Sequence, residues 1–240
     1  MKSFKDILQR DLYFLDFESN KAGDLFLLGL EHDKNYTCYV INEELSFLCD
    51  NEYYINKFNI KFEEYKILIN NLLKSINDTN GVIVAYSIAE LEIIQRTVSI
   101  NNFPNILYLN LARAARSWKN KFYKDAFDKL PEFRKNSNNF IAQKNSLASM
   151  MRLLPSETQA PQDYAPGKTT SRINDIIRGF KAKKEFSKLT VVQKGKATKL
   201  LKHNYFDVTI LRILLNKIID KDPSRLNKAI YSIKDIKSKA

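Results

Sequence analysis

The sequence predicts an α/β protein: a mixed five-stranded sheet flanked by helices, followed by a basic helical C-terminal half. Three observations carry this prediction. The first forty residues are rich in β-favouring types, broken at hairpin spacing. Residues from about 57 to 109 then alternate helical periodicity with short apolar runs. From Leu111 onward, apolar residues recur at helical steps among many Lys and Arg residues.

Asp11-Leu-Tyr-Phe-Leu-Asp-Phe-Glu18 reads as the first strand, and Asp24–Leu30 and Tyr36–Ile41 follow at hairpin spacing. Phe58, Phe62, Tyr65, Ile69, Leu72, Leu73 and Ile76 recur at three- and four-residue steps, so one helix is expected over about 57–77. Asp78-Thr-Asn-Gly81 breaks it, and Gly81–Tyr86 forms a short buried strand. A helix from about Ile88 to Ser99, a turn at Pro104 and a fifth strand at Ile106–Leu109 complete the sheet.

The basic half is expected to hold helices from Leu111 to about Phe127, Leu147 to Leu154, Ile173 to about Lys184 and Val192 to about Ile219. The segment of about 154–170 contains three of the chain's six prolines and reads as an irregular loop, either a connector or a substrate-contacting insertion. Residues 1–219 are expected to form one domain with this loop inserted. Residues 220–240 are expected to form a basic tail, a solvated terminal helix or frayed end.

The chain has 240 residues, 44% hydrophobic and 12% aromatic, which excludes an intrinsically disordered class. No apolar run approaches the roughly 18–20 residues that span a bilayer, and Met1–Arg10 has no long apolar core, so no signal peptide is expected. Cys38 and Cys49 give neither a disulfide framework nor a metal cluster; the expectation is a cytoplasmic protein with two reduced cysteines. Residues 1–110 hold 10 Lys+Arg against 16 Asp+Glu, whereas residues 111–240 hold 29 against 11. An acidic half followed by a basic one fits a carboxylate site facing a surface for a polyanion, or else a basic proteome with a solvated surface.

Three features carry chemistry. Asp16 and Glu18 are two residues apart in a strand, hence on one face with Leu12 and Phe14, while Phe17 points the other way. Two adjacent acids there repel each other and lose solvation, a cost that a hard cation relieves, chiefly Mg²⁺ or Mn²⁺. In the long helix through Leu200–Leu215, His203 and Asp207 share a face one turn apart. The pair could order or deprotonate a metal-bound water, or be a surface pair, or His203 could be a satisfied partner at a helix interface. Glu90 opens the helix after the buried strand Gly81–Tyr86. It either complements the helix dipole or reaches over the sheet toward Asp16, and position alone does not separate it from Glu92.

Taken together, Leu15-Asp-Phe-Glu-Ser19, Tyr86-Ser-Ile-Ala-Glu90 and His203-Asn-Tyr-Phe-Asp-Val208 resemble, in this order, the DEDD 3′–5′ exonuclease superfamily, which has the RNase H-like fold. The usual second motif, an Asn followed four residues later by an Asp, is missing. Tyr86 to Glu90 is instead similar to a branch of predicted RNase H-like nucleases whose second motif is Tyr-x-x-x-Glu. Asn110 stands where that branch often has an Asp, and Asn145–Leu154 resembles its short Ser-Leu helix. The His-to-Asp spacing matches the tyrosine subclass of these enzymes.

The resemblance implies a 3′–5′ exonuclease acting on DNA or RNA by two-metal phosphodiester hydrolysis. Asp16, Glu18, Glu90 and Asp207 would gather two ions, Mg²⁺ or Mn²⁺, and His203 would position or deprotonate the attacking water. Nucleic acid would be held by the basic half. Arg113, Arg116 and Lys119, with Trp118 interleaved, make one basic-aromatic helix; Arg172 and Arg178 lead a second cluster. The alternative for the first is a solvated helix with Trp118 in the core. Three other readings remain open: a catalytically inactive RNase H-like module that binds nucleic acid or a partner, an endonuclease or structure-specific nuclease on the same scaffold, and an interaction domain whose acidic N-terminal half contacts its own basic half.

Overall fold

The first long strand, β1 (Leu12–Ser19), is the axis of the molecule, because it carries strands on both sides and helices on both faces. A computed structural model of the chain describes residues 3–130, 145–154 and 167–235. The antiparallel β2 (Leu25–His32) pairs with β1 along its length, with Asp16 opposite Gly29 and Glu18 opposite Leu27. β3 (Asn35–Val40) follows through the two-residue turn Asp33-Lys34, both at positive φ, the geometry that suits a tight hairpin. On the other side β5 (Val82–Ala85) runs parallel to β1 through Leu12–Phe14 alone, so Asp16 and Glu18 extend beyond that pairing. Next to β5 lies the parallel β6 (Leu107–Asn110).

These are the five expected strands, but the mixed sheet has seven, in the order β4-β3-β2-β1-β5-β6-β7. One added edge is β4 (Ile60–Phe62), inside the segment expected to be a single helix over about 57–77. That segment is split. α2 (Glu52–Phe58) ends at Asn59, whose left-handed backbone turns the chain into β4, and α3 (Tyr65–Asp78) starts afresh. The other edge is β7 (Ile230–Ser232), antiparallel to β6, so the expected solvated tail is docked as far as Asp235. Ala229 and Ile233 are fully buried there, which explains why the segment joins the sheet. The expected loop of about 154–170 lies over 155–166 outside the described residues, as does the tail over 236–240.

Helices cover both faces. α3 and α4 (Ala89–Thr97) pack Ile69, Leu73, Ile76, Leu91 and Ile94 against Tyr13, Leu15, Ile83 and Tyr108. The opposite face carries Phe14, Val82, Val84, Leu107 and Leu109, the alternate residues of the same strands. They lie under α5 (Leu111–Phe122), α7 (Leu147–Met151) and the C-terminal part of α9 (Val191–Lys221). Helix α8 (Thr169–Lys183) and the N-terminal part of α9 form a third cluster with β2, β3 and α2. Between α5 and α7 comes the short α6 (Lys124–Asp128), and α1 (Phe4–Leu8) precedes β1. Among the described residues no helix is long and apolar enough to cross a membrane. Both cysteines are free, and burial pushes each thiol up to about 12.

Candidate metal centre

The site forms where β1 outruns β5 and α9 crosses over it. Strand parity puts Asp16 and Glu18 on the face of Phe14, under α9, whereas Phe17 joins the α3 face with its ring edge-on to Tyr65. A register shift between Glu18 and Ser19 ends regular pairing there. Helix α9 starts at a capping box of Thr190 and Gln193 and runs for 31 residues, so a single rigid rod delivers His203, Asn204 and Asp207 to the strand.

Glycine permits the close approach. A Cβ on Gly29, opposite Asp16 on β2, would lie 2.3 Å from Asn204 Oδ1 and 2.7 Å from Val208 Cγ2. With only hydrogen there, Asn204 is fully buried and reaches β1. Its Nδ2 donates to the Asp16 carbonyl oxygen and to Asp16 Oδ2, both at 3.3 Å, and its Oδ1 accepts from the Tyr36 hydroxyl at 2.7 Å.

His203 Nε2 lies 3.3 Å from Asp207 Oδ2 and 3.9 Å from Glu18 Oε1. Glu18, His203 and Asp207 offer ligand atoms that all lie within 4.8 Å of one another. Glu90, the second residue of α4, accepts a hydrogen bond from Ser87 Oγ at 2.8 Å. Ser87 is held in turn by its main-chain carbonyl, which accepts from the buried Tyr108 hydroxyl.

Burial and crowding set the protonation of this group. The Asp16 carboxyl is held well above the usual carboxylate range, first by burial, then by the charges of Glu18, Asp207 and Glu90; the Asn204 hydrogen bond opposes this. Burial, then Asp207, pushes Glu18 up to about 8, against a hydrogen bond from Thr169 and the nearby Arg172 charge. Glu90 is also raised, mainly by burial. His203 is depressed to about 4, by burial first and then by Arg172, so its imidazole is neutral at physiological pH. Four carboxyl groups acting on one another in a buried place is the situation that a cation relieves. Glu18 Oε1 is buried with no hydrogen-bond partner among the described residues, as suits an atom arranged to hold an ion. Glu18, His203 and Asp207 are therefore a group that could hold a metal ion.

The structure brings together Glu18, His203 and Asp207, with Asp16 held beside them by Asn204 and Glu90 near enough for its charge to act on Asp16. Glu92 acts on Glu90 but is not among the charges that raise Asp16, which separates the two candidates of α4. The expected nucleic-acid residues fare differently. Trp118 is 2% exposed and packs on Tyr123 in the core, so it does not stack bases. Lys119 is buried, donates to Asn145 Oδ1 at 3.1 Å and lies over the Phe127 ring, away from a phosphate track. Arg172 is buried too, one turn of α8 from Thr169; its Nη1 donates to the Lys199 carbonyl oxygen at 3.5 Å. It belongs to the electrostatics of the carboxylates, not to a surface. Arg113, Arg116 and Arg178 are exposed, Arg113 against the Tyr231 ring and hydroxyl and Arg178 paired with Asp175 at 3.3 Å.

Asn204, Tyr36, Gly29 and Thr169 were not singled out from the sequence. Gly29 left one signal, a lone glycine inside an apolar strand, which marks a close backbone approach. Compared with known protein families and with curated proteins, the chain matches none of either.

Proposed function

We propose that the protein is a metal-dependent nuclease of the RNase H-like kind, hydrolysing phosphodiester bonds as a 3′–5′ exonuclease. One observation carries the reading. Glu18, His203 and Asp207 offer ligand atoms within 4.8 Å of one another at the C-terminal end of β1, beside Asp16, whose carboxyl feels the charges of Glu18, Asp207 and Glu90. The inner order β3-β2-β1-β5-β6, with β2 alone antiparallel to the β1, β5 and β6 direction on that side of β3, supports the RNase H-like reading.

Asp16, Glu18, Glu90 and Asp207 would hold Mg²⁺ or Mn²⁺, which when bound supplies charge stabilisation to the scissile phosphate and to its attacking and leaving oxygens. Asp16 is oriented for this by Asn204, and Glu90 by Ser87. His203, neutral and set between Glu18 and Asp207, would position or deprotonate the attacking water.

The test is one assay matrix: single- and double-stranded DNA and RNA, labelled at either end, with Mg²⁺, Mn²⁺ or EDTA. Mononucleotides released from the 3′ end only when metal is present support the full reading. Internal fragments would move it to an endonuclease, and absence of cleavage on every substrate would overturn it.

A further inference from the structure

Across α9 from the carboxylates, an open cleft of about 430 Å³ is lined by Lys57, Phe58, Lys202, Tyr205 and Phe206. Asn204 and Val208 face the sheet, so helical spacing turns Lys202, Tyr205 and Phe206 away from it, toward the end of α2. Tyr205 is 42% exposed, although its ring meets Tyr36 and Phe58 edge-on. No carboxylate lines the cleft among the described residues, and two ammonium groups do.

We propose that this cleft binds one or more nucleotides of a single-stranded nucleic acid, with a base stacked on Tyr205 and phosphates held by Lys57 and Lys202. The inference rests on the nuclease reading and names where the substrate strand sits. Flat aromatic surface beside cations is the chemistry of sequence-tolerant single-strand binding. An acidic peptide would use the ammonium groups but not the exposed Tyr205. The chain's net charge of +12 attracts a polyanion to either feature.

The cleft lies on the other side of α9 from the acids and is linked to them through side chains. Tyr205 and Phe206 lie inside the single helical turn that runs from His203 to Asp207. The Tyr205 ring packs edge-on against Tyr36 at 4.9 Å, and the Tyr36 hydroxyl donates to the same Asn204 that orients Asp16. A strand seated on Tyr205 therefore bears on the group that sets the first carboxylate.

The experiment is fluorescence anisotropy with labelled oligothymidylate and oligouridylate in EDTA, where no hydrolysis intervenes. Tyr205→Ala should weaken binding about tenfold, whereas Tyr205→Phe, which keeps the ring, should bind as the parent does. Lys57→Gln and Lys202→Gln should each lower the slope of log affinity against log salt by about 0.7, one phosphate on a single strand. Equal binding by Tyr205→Ala and its parent overturns the cleft while leaving the nuclease reading to its cleavage assay. Loss of binding in Tyr205→Ala, by a protein that cleaves nothing with metal, upholds the cleft and removes the nuclease reading.

Discussion

Asn204 grips Asp16 at two points, its Nδ2 reaching both the main-chain oxygen and Oδ2 of that residue. The amide is itself pinned by Tyr36, so the carboxylate direction is set by a chain of two side chains, of which Asn204 is fully buried. That chain exists only because Gly29 leaves room for it. Gly29→Ala forces the new methyl into Asn204 and Val208. Overpacking of this kind costs about 1–3 kcal/mol, and it should cost more in activity than in stability, because Asn204 must leave Asp16. Chemical denaturation beside a cleavage assay checks it; a Gly29→Ala protein with full activity would show that the Asn204 contact does not matter.

Asp16→Asn is expected to abolish metal-dependent hydrolysis while the metal-free protein keeps or gains stability. The reason is the repulsion recorded in the raised Asp16 carboxyl, which Glu18, Asp207 and Glu90 all oppose when it ionises. Removing one buried charge relieves the others. In saturating Mn²⁺ the order reverses, because the parent gains binding energy that the variant lacks. Melting curves with and without metal measure both halves, and unchanged turnover in the variant would falsify the assigned role.

How much of this could be read beforehand differs from residue to residue. Asp16 and Glu18 were legible because a two-residue period is local: it needs only the strand. His203 and Asp207 were legible as a pair for the same reason, at helical spacing. The break after Phe58 was hidden, because Phe62 and Tyr65 continue the helical step and only the backbone of Asn59 interrupts it. β7 is three residues long between basic neighbours, too short for a pattern. Trp118 and Lys119 looked like a binding surface since a basic amphipathic helix presents the same residues whichever face is buried. Arg172 was read as surface because its burial depends on α9, thirty residues later, and no local signal encodes that contact.

The pH dependence follows from two opposite shifts. Glu18, raised from its ordinary 4.5 to about 8, contributes stability that is full below about pH 4.5 and lost as pH rises through 8. His203, lowered from 6.5 to about 4, contributes stability that is full above about pH 6.5 and lost as pH falls through 4. Metal needs Glu18 ionised, so proton release accompanies binding and affinity should climb with pH up to about 8, then level off. The stabilisation of the melting temperature by Mn²⁺ should therefore grow between pH 5 and 8 on the order of tenfold in affinity per proton released per pH unit. A metal effect that is flat across that window would contradict the shared burial of these acids.

Arg172 supplies the last test, because it is a permanent cation beside the carboxylates of the proposed metal site. Its charge lowers Glu18 and His203 alike, so it partly neutralises the group before any ion arrives. Arg172→Met removes that charge at similar length and keeps the buried stem. Without metal, Glu18 should then titrate higher and the protein should be less stable, by about 1–3 kcal/mol for a lost buried charge partner. Metal should bind more tightly at high pH, where all acids are ionised and no cation competes, yet the activity profile should move toward alkaline pH. Arg172→Lys, which keeps the charge but loses the planar fork, should restore the profile in part. Calorimetric titration with Mn²⁺ at two pH values separates this account from a purely structural one, in which stability falls and the profile stays where it was.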